Sequence, residues 1–174
     1  MKRKAGEGAR VVVLPESALA FWTPTVERLW RSDLGGTSVT VIAGAAIVGN
    51  EGYDNVMIAV SSEAATVLYR ERMPVPVSMW QPWRGWFGEH GGANAHFFGN
   101  PVVELDGERL APLICYEQLV VWPVLQSALQ SPSIIVAVGN GWWTKGTSIV
   151  AIQQASAEAW ARLFAIPLVS AFNR

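Results

Sequence analysis

Apolar residues recur along the chain in runs of different kinds, and each kind predicts a different element. Val11-Val12-Val13-Leu14 and Ile134-Ile135-Val136-Ala137-Val138 are short, uninterrupted and β-branched, as expected of central strands buried on both faces. Leu110-Ala111-Pro112-Leu113-Ile114 climbs in the same way and stops at Cys115. Residues 39–48 and 55–61 are strand-like, joined across Gly49, Gly52 and Asp54. Residues 66–72 make a third strand, paired with the second as a hairpin. Asp106-Gly107, between residues 102–105 and 109–114, is the strongest hairpin signal in the chain. Helical spacing appears where Thr23 caps and Pro24 starts a segment carrying Val26, Leu29 and Trp30, halted at Gly35-Gly36. It returns over 118–130 and in Ile149, Ile152, Ser156, Ala159, Trp160 and Leu163, before a last strand at 167–172.

Strands alternating with helices around a hairpin-rich middle imply an α/β fold, a mixed sheet covered by helices. In such sheets ligands sit beyond the carboxyl ends of strands. Here the strands ending at Leu14, Ile114 and Val138 deliver Glu16, Cys115 and Asn140. A thiol at a strand-to-helix turn is exposed to helix N-terminal N–H groups and can serve as a nucleophile; the alternative is a buried cysteine packing as a small hydrophobe. A carboxylate directly after a buried strand must find partners or shift its pKa, or else be a solvated loop acid. Thiol and carboxylate on one rim would make nucleophile and general base. Between residues 73 and 100 regular patterning fails. Prolines alternate there with Trp80, Trp83, Trp86 and Phe87, followed by Gly88, Gly91 and Gly92. So long a loop, so rich in aromatic residues, reads either as the wall of an apolar pocket or as a contact with another subunit.

Composition narrows the field. At 174 residues the chain is one domain, 51% hydrophobic and 16% charged, with a net charge of −1. No basic run exceeds Lys2-Arg3-Lys4, so no nucleic-acid partner is expected. The one cysteine excludes an internal disulfide and a cysteine-based zinc site. His90 and His96 stand in a glycine-rich loop, and neither a metal nor a cofactor is expected. The longest uncharged run, 118–144, is broken by Pro123, Gln126, Gln130, Ser131 and Pro132, which suits helix, turn and strand better than a bilayer. No apolar segment follows the N-terminal lysines as a signal peptide would require, so a soluble domain in a reducing compartment is expected. The nine tryptophans are a surplus that the pocket or contact reading of the loop would absorb.

Three segments in this order resemble the nitrilase (carbon–nitrogen hydrolase) superfamily. They are Leu14-Pro15-Glu16-Ser17, then Tyr69-Arg70-Glu71-Arg72-Met73-Pro74-Val75-Pro76, then Leu113-Ile114-Cys115-Tyr116-Glu117. Tyr53-Asp54-Asn55 and Asn140-Gly141-Trp142-Trp143 support the match, and the Cys-Tyr-Glu form and tryptophans resemble the apolipoprotein N-acyltransferase branch and bacterial plasmid-conjugation relatives of it. The resemblance covers essentially the whole chain, residues 1–174, as a single partial domain of this type. It implies an αββα sandwich, a homodimer, and acyl transfer through a thioester on the cysteine. Carried over, Cys115 would be the nucleophile, Glu16 the base and Glu117 a further catalytic acid. Tyr69, Trp80, Trp83, Asn140, Trp142 and Trp143 would line the pocket for a small-molecule amide, ester or lipid acyl donor. The family's lysine is replaced by Glu71, with Met73 and Pro74 where the family has His-Leu. The family's further glutamate falls at Met79, and Glu89 is a displaced substitute. In the unslipped strand register Glu71 faces the site, while Arg70 and Arg72 point away. The resemblance also implies truncation at both ends: the family has a strand and helix before the Pro-Glu-Ser strand and strands beyond Asn173. It implies membrane anchoring only through segments this chain does not contain. Two functions follow as alternatives, a thiol-dependent amidase or N-acyltransferase lacking the lysine, and a catalytically weakened assembly module in plasmid conjugation.

Overall fold

In the computed structural model, which describes residues 8–142 and 146–173, the strand-forming runs assemble into two four-stranded sheets. The first holds β1 (Val11–Val13), β2 (Thr40–Val48), β3 (Tyr53–Val60) and β4 (Ala65–Arg70) in that order. The second holds β5 (Val103–Leu105), β6 (Glu108–Ile114), β7 (Ile134–Asn140) and β8 (Leu168–Asn173). β1 runs parallel to β2, and β6, β7 and β8 are parallel to one another; the β2–β3, β3–β4 and β5–β6 pairs are antiparallel. The β5–β6 turn has Asp106 and Gly107 both at positive φ, 52° and 82°, the backbone a two-residue hairpin demands.

Period-two alternation divides each strand between two cores. Ile42, Met57 and Tyr69 of the first sheet meet Leu110, Ile114, Val136 and Val138 of the second. Their sequence neighbours Val41, Ala43, Val56 and Ile58 face outward, beneath Trp30 of α1 (Pro24–Asp33). Ala111, Leu113 and Ile135 lie beneath Val124 of α2 (Val121–Ala128) and Trp160 and Phe164 of α3 (Ile149–Phe164). The layers are therefore helix, sheet, sheet, helix, the sandwich the resemblance implies. Thr23 Oγ1 accepts from Val26 N at 3.2 Å, so the cap read from sequence is made.

Three expectations are corrected. β1 is an edge strand whose Val11 is 36% exposed, not a doubly buried central one. With β-branched residues on both faces, its sequence does not tell an edge from a centre. The helix expected over 118–130 is divided into a 3₁₀ turn, Cys115–Leu119, and α2. Inside one continuous helix the Pro123 ring would clash with the Leu119 carbonyl, whereas restarting at Val121 puts the proline in a first turn. Finally, β4 ends at Arg70. A bulge opposite Met57/Ile58 lies upstream, and Glu71 N still donates to Asn55 O at 2.8 Å, so Glu71 keeps the inward face. At Arg72 the backbone leaves the ladder, its N–H donating to Glu117 Oε1 at 2.8 Å. Strand alternation no longer governs that residue, and Arg72 turns inward and is fully buried.

Candidate active site

Cys115 sits at φ 46°, in the left-handed region, directly after β6. A non-glycine residue held there costs of order 1–3 kcal/mol, and the sharp turn it makes lifts the side chain off the end of the strand. The thiol is 7% exposed, and its Sγ accepts from Gln153 Nε2 of α3 at 3.4 Å. Burial first, and the Glu16 carboxylate next, push the thiol up to about 12. In the resting site Cys115 is therefore a thiol, not a thiolate.

Glu16 stands on a tight loop after β1 that is laid on β2. Leu19 N donates to Gly44 O at 3.0 Å. A Cβ on Gly44 would lie 2.6 Å from the Glu16 Cα, so only glycine lets the loop descend far enough. Glu16 is buried and faces the Cys115 thiol closely enough that each perturbs the other's ionisation. Burial raises the Glu16 pKa; Asn55, the thiol and the Asn140 backbone N–H work against that rise, and the Glu117 charge adds to it.

One amide joins two acids. Asn55 Nδ2, from β3, donates to Glu16 Oε1 at 2.9 Å and to Glu71 Oε2 at 3.0 Å. The remaining oxygens, Glu16 Oε2 and Glu71 Oε1, are buried and have no partner. Burial, then the Glu117 and Glu16 charges, hold Glu71 well above the usual carboxylate range. Glu71 is thus joined to Glu16 through one amide, and its charge acts on Cys115.

Glu117 is also fully buried, but both of its oxygens have partners. Oε1 accepts from Tyr69 Oη at 2.6 Å, Arg72 N at 2.8 Å and Met73 N at 3.2 Å. Oε2 accepts from Ile114 N at 2.8 Å. Arg72 Nε lies 3.9 Å from Oε1, and the guanidinium also donates to Tyr69 Oη, Gln126 Oε1, Ser127 Oγ and Pro112 O. This network ties the end of β4 to the Cys115 turn and to α2. Glu117 therefore holds the turn in place and has no oxygen left for a reacting group.

The expected pocket is only partly assembled. Asn140 reaches the site through the backbone N–H it offers to Glu16. Tyr69 is fully buried in the inter-sheet core, its hydroxyl given to Glu117, and lines no pocket. Trp80 packs edge-on against Phe97 and borders a mainly polar cavity of about 310 Å³ with Arg84, Glu89 and His90. Cys115 and Glu16 are not among the residues lining it, and neither is Trp83. Trp83 lies on the 3₁₀ turn Pro82–Phe87, on which Trp86 and Phe87 are exposed (84% and 77%). Trp142 is exposed, and Trp143 lies outside the described residues. The loop is fixed at its far end, where Asn94 Nδ2 donates to Asp54 Oδ1 and His96 Nε2 meets the same oxygen, both at 2.9 Å.

Gln153 is a member of the site that the sequence did not single out, while Tyr53 and Asn55 stood only in a supporting motif and Arg72 was expected to point away. The signal for Asn55 and Gln153 was a polar amide inside an apolar element, β3 and the inward stripe of α3. Tyr53 is placed by its response to Glu71 and Glu16, which together with burial raise its hydroxyl pKa.

The family model described as carbon-nitrogen hydrolase matches residues 23–162, most of the chain. The chain belongs to the carbon–nitrogen hydrolase family. Within it, the chain is 65% identical over 173 residues to conjugal transfer protein TraB of Agrobacterium fabrum and 66% identical to probable conjugal transfer protein TraB of Sinorhizobium fredii. Those alignments cover 99% of this chain but 41% and 45% of the relatives, so the chain spans less than half of their length. Among solved carbon–nitrogen hydrolase structures, a mutant amidase of the nitrilase superfamily from Nesterenkonia AN1 superposes with a TM-score of 0.69 at 15% identity, over 98% of this chain and 65% of that one. A carbon-nitrogen hydrolase from Helicobacter pylori G27 gives 0.68 at 13%, over 99% and 65%. These two share the fold. Among the described residues no helix is long and apolar enough to cross a membrane.

Proposed function

We propose that this domain transfers acyl groups from an amide or ester through a thioester on Cys115. The observation that carries the reading is the pairing of a thiol on a strained turn with a buried glutamate whose second oxygen is free. As Cys115 Sγ bonds to the acyl carbon, its proton passes to Glu16, because the thiol is too weak an acid to ionise beforehand. Breaking the C–N or C–O bond then releases the amine or alcohol, which takes the proton back from Glu16. Water or an acceptor amine attacks the thioester in the reverse sense and frees the thiol. Gln153 and Asn55 hold the two reacting side chains in place.

A second reading, an assembly module in conjugal transfer with weakened catalysis, draws support from the names of the two relatives and from the glutamate at the lysine position. Loss of one oxyanion donor costs about 10²–10³ in rate. Intact-mass measurement after exposure to short-chain amides and p-nitrophenyl esters tests the choice. A single acyl adduct, absent from Cys115→Ala, is the expected result; an unmodified protein under all donors favours the module.

A further inference from the structure

We propose that Glu71 is a neutral carboxylic acid whose Oε1 hydroxyl donates a hydrogen bond to the oxygen of the acyl group under attack at Cys115, filling the office of the missing lysine without its charge. This rests on the thioester reading above and names the group that would stabilise its transition state.

Glu16 and Glu71 share the amide of one residue, Asn55, each through one oxygen. Glu16 also faces the thiol and the Asn140 N–H. Glu71 has the Asn55 N–H alone, is 1% exposed, and faces two further carboxylates, Glu16 and Glu117. Among the described residues the nearby guanidiniums are already engaged, Arg72 with Glu117 and Arg70 with Asp54. The other titratable groups around it are Cys115 and Tyr53, neither of which brings positive charge. With no cation free to offset them among the described residues, two adjacent buried carboxylates do not both ionise, and the proton resides on the one with fewer donors. Burial and like charge together hold Glu71 well above its ordinary value.

The position of that proton follows from the hydrogen bonds. Glu71 Oε2 accepts from Asn55, so the hydroxyl is Oε1, the buried oxygen left without a partner. An O–H there needs an acceptor, and an acyl oxygen polarised by attack at Cys115 supplies one. No proton is transferred in this contact: the thiol proton still goes to Glu16, and the O–H bond of Glu71 stays intact while negative charge gathers on the acyl oxygen. Such a donor strengthens as charge develops, which is what an oxyanion site requires.

The test uses the 174-residue chain, p-nitrophenyl butyrate as acyl donor, and the variants Glu71→Gln and Glu71→Leu. Asn55 orients Gln so that its NH₂ replaces the O–H, whereas Leu offers no donor. Acylation of Cys115, followed by p-nitrophenolate release in the first turnover, should fall by less than about tenfold in Glu71→Gln and by about 10²–10³-fold in Glu71→Leu. Infrared difference spectra between native protein and Glu71→Gln at neutral pH should contain the carbonyl stretch of a protonated carboxylic acid, shifting in D₂O. A carboxylate signature in that difference spectrum overturns the proposal. So does a Glu71→Leu variant acylated as fast as the native chain while the protonated band is present, an outcome that leaves the thioester reading standing. A native chain that shows the band yet never acquires an acyl group defeats the thioester reading itself and the donor role with it.

Discussion

Glu117 and Glu71 are both glutamates, both buried to within a percent of completely, and both within one turn or one hydrogen bond of the reacting pair. Their surroundings are opposite. Four N–H or O–H groups and a guanidinium converge on Glu117, leaving neither oxygen without a partner. Half of one amide serves Glu71, and one of its oxygens has no hydrogen-bond partner among the described residues. A hydrogen bond to a charged group contributes about 1.5–3 kcal/mol, and an unmet buried polar atom costs about as much. The first glutamate is thus part of the frame that shapes the Cys115 turn. The second is a standing cost, with one buried oxygen left unpaired. Burial alone does not tell a structural acid from a functional one; the count of donors does.

The comparison breaks most readily at Glu117. Replacing it with Leu strands the Arg72 charge and frees the Ile114, Arg72 and Met73 amides, so unfolding free energy should fall by about 3–5 kcal/mol. A denaturation midpoint close to that of the native chain would falsify the framework role. Glu16→Gln should leave stability nearly untouched yet slow acylation of Cys115 by p-nitrophenyl butyrate about 10²–10⁴-fold, the usual share of a general base. A smaller loss would show that the thiol finds another proton acceptor.

Glu71→Lys sharpens the contrast by putting a cation where an acid stands. The pH midpoint of Cys115 alkylation by iodoacetamide, near 12 in the native chain, should move downward, with faster reaction at neutral pH. Identical profiles, or a native thiol already ionised near neutrality, would contradict the geometry. Stability against pH gives a gentler probe. Because the folded pKa of Glu71 is raised above its unfolded value, its neutral form is fully tolerated below the unfolded pKa, and stability is lost as pH rises through the folded one. Glu71→Gln should flatten that decline in denaturant titrations across neutral and alkaline pH. The smallest effect belongs to Asp54 at the loop anchor. Burial opposes its ionisation, but His96, Asn94 and Arg70 together hold it below the ordinary value, so its contribution is present above the unfolded pKa and fades as pH falls through the folded one. Asp54→Asn should cost no more than about 1 kcal/mol at neutral pH, since the cluster is partly solvated.

Much of the fold was legible because it is written locally. Period-two alternation in β2 and β3, the Thr23 cap of α1, the Asp106-Gly107 turn and the helical stripe of α3 each depend on neighbours a few residues away. The placement of Arg72 was not legible. Its strand ends one residue too soon for alternation to apply, and its partner Glu117 is 45 residues downstream. What the aromatic segment covers was not legible for a related reason. Tryptophans in a loop announce that they cover something, but only long-range contacts say what. Trp80 packs edge-on against Phe97 and borders a polar cavity.

The sequence by itself determined which runs form strands and helices and the three strand ends that carry Glu16, Cys115 and Asn140. Those depend on residue type and spacing. Tertiary structure alone decided which of the buried acids would be satisfied. Asn55 faces Glu16 across 39 positions and Glu71 across 16, and only the folded chain brings both to one amide too small to neutralise either. The proton shared by such a cluster belongs to the arrangement rather than to any residue in it, because desolvation and like-charge repulsion arise only once distant strands have met.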